Sequence, residues 1–226
     1  VSFHRKQDTT AYHVALNGDK DQFNIEQAGK HVFYIEPEKN SSQFSFSFQF
    51  SKRKPKNKLP DYQLTREKSK TYWQDFWTSG GAVDFSDCAD PRAKELERRV
   101  VLSRYLTQIQ CSGELPPQET GLTFNSWHGK FHLEMHWWHG VHWSLWGRSS
   151  VLEKQMQFYS DIWQRASNTA QNQGYEGIRW PKMVGPGGRE SPSTIGTYLI
   201  WQQPHPVYLA ELLYRNSEDP PNTLER

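Results

Sequence analysis

The period of the apolar positions changes along the chain, and each change marks a different kind of structure. Residues 11–50 run in short alternating stretches, AYHVAL, DQFNIEQ, HVFYIEP and QFSFSFQF, separated by NGDKD, AGK and EKNSS. Within residues 43–50 strict alternation puts Phe44, Phe46, Phe48 and Phe50 on one side and Gln or Ser on the other, as in a strand with one buried face. The NGD and NSS breaks predict hairpin turns, so residues 1–50 are expected to be sheet, the C-terminal end of a β-sandwich. Residues 51–70 turn to Lys, Pro, Asn and Asp, a boundary composition. In residues 72–77, YWQDFW, the rings of Trp73, Phe76 and Trp77 share a helical face, which predicts a short helix pinning a linker over 51–85.

Helical period dominates afterwards. Residues 87–111 predict a helix with Asp90 as N-cap, Pro91 at its first position and an apolar stripe of Leu96, Val100, Leu102, Tyr105, Leu106 and Ile109, ending at Ser112 and Gly113. The Pro pair in GELPPQETGL bars regular structure and leaves a loop with Gln118 and Glu119 at its polar tip. Residues 131–146 hold no Pro and predict a helix with a frayed start, on which His132, His136 and His139 share a face. Residues 151–172 predict one further helix, capped by Ser149 and Ser150 and closed by Gly174. Six glycines and three prolines in residues 174–197 predict a long loop of the kind found at active sites. Residues 198–215 return to helix, kinked or restarted at Pro204-His205-Pro206.

Composition narrows the class. Twenty-five acids against 27 bases give a net charge of +2, so there is no electrostatic case for nucleic acid or an anionic membrane, and no run of about 18 apolar residues spans a bilayer. The basic run SKRKPKNK reads as a solvated linker. Cys88 and Cys111 fall near opposite ends of one predicted helix, too far apart to bond, and lack metal-ligand spacing. No GxSxG, Walker-type or dinucleotide fingerprint is present, and no cofactor is implied. The chain starts at Val1 without an initiator methionine and ends in NSEDPPNTLER just past an apolar helix, which suggests a piece of a longer protein.

The chemistry concentrates in residues 125–148, NSWHGKFHLEMHWWHGVHWSLWGR, which hold five of the nine histidines, five of the ten tryptophans and a single acid, Glu134. Indole and imidazole pack like hydrocarbon yet keep a polar edge, which suits a wet cleft that grips an uncharged, hydroxylated ligand. Three readings of the histidines stand open: hydroxyl binding, a packed structural role, or zinc, since His132 and His136 are one helical turn apart. The zinc reading lacks a third ligand, and Glu134 stands two places after His132 instead of one. A carboxylate among indoles needs partners for its oxygens, for which sugar hydroxyls, Arg148 or Lys130 are candidates. Glu190, in the Gly-rich GPGGRESP, is the candidate general acid, with a solvated pairing to Arg189 or Arg179 as the plainer alternative.

Four segments, ERRVVLSRYLTQIQCSGELPPQETGL, NSWHGKFHLEMHWWHGVHWSLWGR, QGYEGIRWPKMVGPGGRESPS and IWQQPHPVYLAELLYR, together resemble the six-hairpin glycosidases, the (α/α)6-barrel superfamily, and within it relatives of the maltose and trehalose phosphorylases. The resemblance covers residues 72–215. It implies an α+β multidomain chain, a β-sandwich followed by the first helices of a barrel over 86–226, with the remainder of the barrel and the catalytic base supplied from further downstream. Gly174-Tyr175 and Arg179-Trp180-Pro181 look like the family's lead-in, and Gly188-Arg189-Glu190 looks like its Gly-Glu-Glu motif, which makes Glu190 the proton donor. Phe131 to Glu134 resembles the segment that grips the terminal sugar, with Glu134 for the family's Asp. Arg189 replaces one of the two motif acids, so phosphorolysis is not implied.

The function expected is a glycoside hydrolase, inverting, with Glu190 catalytic. Glu134, His132, His136, Trp138, Trp180, Arg179, Lys182, Gln118, Glu119 and His205 are expected to bind a carbohydrate substrate. A noncatalytic carbohydrate-binding protein and a metal-dependent hydrolase are the alternatives. A secreted or periplasmic site of action suits a carbohydrate scavenger, and Asn40-Ser41-Ser42 is a glycosylation acceptor if the source is eukaryotic.

Overall fold

A computed structural model describes residues 2–7, 10–18, 23–38, 43–121, 124 and 127–218. The chain is mixed α+β, with small antiparallel sheets and six α-helices among the described residues, and divides into two compact units, Val1–Thr78 and Ser79–Arg226.

In the first unit, β1 (Ser2–Gln7), β2 (Thr10–Gly18) and β5 (Phe46–Ser51) form one antiparallel sheet with β2 at its centre, and β3 (Phe23–Gln27) pairs with β4 (Phe33–Pro37). Register aligns Phe50 with Val14, Phe48 with Leu16 and Phe46 with Gly18, so the Phe side of β5 and the apolar side of β2 share a face. Rings follow one another along it, Phe44 to Phe46 at 5.5 Å and Phe46 to Phe48 at 5.1 Å. That face is covered at one end only: Phe23 is buried against Phe46, whereas Phe50 is 70% exposed, so the predicted buried side of this strand is half realised. Phe3, opposite Val14, meets Phe33 at 4.6 Å and thereby joins the sheet to the β3–β4 hairpin. The NSS turn and the acceptor Asn40-Ser41-Ser42 lie outside the described residues, as does Asp19 of the NGD turn.

Helix α1 (Tyr62–Thr78) belongs to this unit and is much longer than the six-residue helix expected from its rings. Its start lies in the polar stretch read as linker. Asp61 caps it, taking the Leu64 N–H at 2.8 Å, and Arg, Glu and Lys are good helix formers even without an apolar stripe.

The second unit is built from α2 (Ala93–Cys111), α3 (Leu133–Leu145), α4 (Ser149–Asp161), α5 (Trp163–Asn172) and α6 (His205–Arg215), with a two-residue ladder of β6 (Phe131–His132) and β7 (Met183–Val184). Helices α3, α4 and α6 pack on one another around Trp143, Leu152, Leu209 and Leu212. A second core gathers Leu133, Phe158, Tyr159, Ile162, Ala166, Trp180 and Val184. The single helix expected over 151–172 is broken at Ile162, whose backbone (φ −100°, ψ 5°) ends α4 and begins α5. The break lets Phe158 and Tyr159 of α4 and Ala166 of α5 face one core. Gly188 packs there at φ +71°, where a Cβ would stand 2.6 Å from an Ile162 methyl. Helix α2 ends at Ser112 as predicted, but it buries Ala93, Gln108 and Cys111, while Leu96, Leu102 and Leu106 of the predicted core stripe are exposed. Asp90, expected as the N-cap, takes the Arg92 N–H at 2.8 Å in the turn before the helix, which begins at Ala93 with Arg92 in the cap position and no side-chain cap bond. Cys88 and Cys111 are both free thiols.

One buried polar chain ties three helices together. Gln155 of α4 donates to the Cys111 carbonyl at 2.6 Å and accepts from His136 Nε2 at 3.1 Å, and His136 Nδ1 takes the Tyr159 hydroxyl at 2.9 Å. An amide oxygen can only accept, so Nε2 carries the proton and Nδ1 is the acceptor. Gln155→Leu would strand the Cys111 carbonyl and the His136 N–H, and is expected to lower stability by about 3 kcal/mol, read as a fall in the urea midpoint.

Candidate functional site

The site is organised by a short backbone ladder. His132, expected on the α3 helix, is instead extended (φ −100°, ψ 99°), and pairs with Met183 as Phe131 pairs with Val184. The Leu133 N–H continues the ladder to the Lys182 carbonyl at 2.8 Å. Gln118 bridges to Phe131 on one side, and Glu190 bridges to Val184 on the other. The segment expected to be a structureless loop thus carries a strand, because its Pro181-Lys182-Met183-Val184 run finds unpaired backbone beside Phe131 and His132.

Through this clip Lys182 reaches Glu134. The ammonium lies 2.8 Å from Glu134 Oε1, and the pair is enclosed, at 13% and 7% side-chain exposure. The expected partners of Glu134 were Arg148 and Lys130. Arg148 instead donates to the Ser79 carbonyl at 2.7 Å, and the partner that distance in sequence had hidden is Lys182. His132 is buried alongside, its Nδ1 3.6 Å from Glu134 Oε1 and 2.9 Å from Glu119 Oε2. The approach of Glu119 has the length of an ion pair but lies out of line for a hydrogen bond, so both His132 nitrogens and Glu134 Oε2 are buried without a hydrogen-bond partner among the described residues. Such atoms cost free energy wherever nothing meets them, and a built ligand site is where a fold tolerates that cost. Desolvation lowers the His132 pKa, assisted by Lys182 and opposed by Glu134 and Glu119, so the ring is neutral at pH 7 and offers one donor and one acceptor.

Trp127 stands beside the group. It opens a short 3-10 turn (Trp127–Gly129) at φ +51°, a left-handed conformation that a bulky side chain adopts only under constraint. Its ring centroid is 5.8 Å from that of His132 and 5.8 Å from the Lys182 ammonium, yet the residue is 57% exposed. Neither periodicity nor motif spacing singles it out, because its significance comes from a turn.

The other expected site residues are distributed as follows. His136 is fully enclosed with both nitrogens occupied by Gln155 and Tyr159, so it has no polar atom left for a ligand and steadies α3 from behind. His205, at the start of α6, donates from Nε2 to the Glu134 carbonyl at 3.0 Å and holds the helix that carries the acid. Trp180 is buried in the second core against Tyr159, and its backbone is gripped by Gln202 and Gln203 at 2.7 to 2.9 Å. Those two amides had drawn no notice in the sequence, where only their place before Pro204 distinguishes them. Arg179 donates to the carbonyls of Gly196, Thr197 and Leu199 and so braces the loop after Glu190. Gln118 donates to the Gly121 carbonyl within its own loop. Trp138 is exposed on α3 with its ring edge against Trp137.

Glu190 bridges to Val184, which pairs with Phe131, and its Oε1 lies 3.5 Å from where a Cβ on Gly196 would stand. It lines a cavity of about 510 Å³ with Lys130, Met183 and Arg189. Neither Arg189 nor Arg179 forms an ion pair with it among the described residues. Among the described residues no group of three or more His, Cys, Asp or Glu could hold a metal ion, and no helix is long and apolar enough to cross a membrane. The chain matches no protein-family model, no curated protein and no solved structure.

Glu134→Gln alone leaves the Lys182 ammonium unpaired, and Lys182→Met alone leaves the carboxylate so. Each is expected to cost about 3–5 kcal/mol, with the double variant recovering much of that loss in a denaturant double-mutant cycle. Burial pushes the His136 pKa down to about 4 from 6.5, and lowers those of His132, His139, His142 and His205 in the same sense. The unfolded chain therefore binds more protons through that window. Stability present above pH 6.5 is expected to fall as the pH drops toward 4, by about 3 kcal/mol for His136, and His136→Gln should flatten the profile of urea midpoint against pH.

Proposed function

We propose that this protein is a glycoside hydrolase of the six-hairpin type, in which Glu134, His132 and Lys182 hold a sugar of an oligosaccharide or glycoside. The observation that carries the reading is the buried Glu134–Lys182 pair, with Glu134 Oε2 and the two His132 nitrogens buried beside it without a hydrogen-bond partner among the described residues. A carboxylate oxygen accepts a hydroxyl proton and a neutral imidazole can give or take one, so together they match vicinal hydroxyls, which are donors and acceptors at once. Glu119, at the rim and 25% exposed, supplies a further acceptor. The (α/α)6 helical frame and the β-sandwich ahead of it belong to the same proposal. The mixed α+β chain and its two units are compatible with both.

Glu190 is the proton donor of this proposal, on the strength of its motif resemblance and of the cavity it lines. Protonating the glycosidic oxygen breaks the C–O bond while water attacks the anomeric carbon and gives up its own proton to a base. In an inverting enzyme that base is a carboxylate about 6.5–9.5 Å from the acid. Because Glu190 Oε1 lies near Gly196, a noncatalytic carbohydrate-binding protein is the second reading, in which the same hydroxyl-holding group acts without turnover.

Tryptophan fluorescence titrated with oligosaccharides, beside a reducing-sugar assay on the full-length protein that includes the downstream base, tests both. Wild type is expected to bind and to release sugar, and Glu190→Gln to bind with turnover reduced at least about a hundredfold. The Glu134→Gln/Lys182→Met double variant should fold yet lose binding. Unchanged turnover in Glu190→Gln removes its assignment, binding without turnover in wild type selects the second reading, and no binding at all discards the sugar site.

A further inference from the structure

We infer that Trp127 is the platform of a second sugar subsite, so that the ligand is a neutral saccharide of at least two rings, one held by Glu134 and His132 and the next stacked on this indole. The inference rests on the proposed sugar site and specifies what occupies its mouth. The indole lies 5.8 Å from the Lys182 ammonium and 5.8 Å from the His132 ring, while more than half of the residue is exposed. It thus adjoins the buried group and keeps surface free, on which a second ring would lie next to a sugar held by that group. Pyranose rings present C–H faces that pack on indole in the way that other apolar rings do, and the electron-rich ring favours the slight positive charge of those hydrogens.

The backbone argues against a merely packed role. Trp127 is the positive-φ non-glycine residue among those described, at φ +51°, a conformation that costs free energy for a bulky side chain, and it adopts it while remaining 57% exposed. Charge decides the class of sugar. Glu119, Glu134 and Lys182 sum to one negative charge around a neutral His132, so a uronate or sulfated sugar would be repelled while an uncharged one would not.

The test is isothermal titration of the full chain with glucose, galactose and glucuronate against maltose, cellobiose and lactose, for wild type, Trp127→Phe and Trp127→Ala. In wild type the better disaccharide is expected to bind about tenfold tighter than its monosaccharide, with glucuronate weakest. Trp127→Ala should bring that ratio close to one and Trp127→Phe should keep part of it. Because the residue is mostly exposed, neither should lower the unfolding temperature. A ratio unchanged in Trp127→Ala, or a loss of stability that accounts for the weaker binding, overturns the platform while leaving the Glu134 site standing. Absence of binding to every sugar in wild type overturns both.

Discussion

The ion pair between Lys182 and Glu134 is the contact on which the second unit's site depends. The two residues come from segments nearly fifty positions apart, and they meet because the Leu133 N–H and the Lys182 carbonyl close a backbone hydrogen bond next to them. Two charges taken out of water stabilise a fold only when each answers the other, and here Glu134 Oε1 is answered while Oε2 is not. The group is thus held in place with bonding capacity to spare.

What surrounds the pair gives it rigidity. His205 fixes the Glu134 backbone from α6, the Gln155–His136–Tyr159 chain fixes α3 to α4, and Gln202 with Gln203 clamps the peptide of Trp180 just ahead of Lys182. His136 serves this purpose: it is neutral, desolvated and matched to an amide and a hydroxyl, which is how a polar core stays specific at low cost. Of the described histidines in residues 125–148, His132 has both its nitrogens buried without a hydrogen-bond partner among the described residues.

In the proposed reading the same geometry separates holding a ligand from acting on it. The unpartnered polar atoms of His132 and Glu134 lie beside the Trp127 ring, and Glu190 Oε1 lies near Gly196. A proton donor must come within hydrogen-bond reach of the oxygen it protonates, so under that reading Glu190 has to approach the sugar from the segment after Val184.

Much of the secondary structure was legible because it follows from local rules. Alternating Phe in β5 and the stop of α2 at Ser112 each depend on residues within a few positions of one another. The ring-rich residues 125–148 contain the acid of the buried ion pair, Glu134. The partner of Glu134, the extended backbone of His132, the break at Ile162 and the significance of Trp127 were not legible. Each depends on what another segment places opposite: the Lys182 carbonyl, the Met183 strand, the core shared by α4 and α5, and the exposed side of a turn. Periodicity reports which face of an element is apolar, but which strand or helix meets that face is settled only when distant segments compete for the same unpaired backbone and the same buried volume.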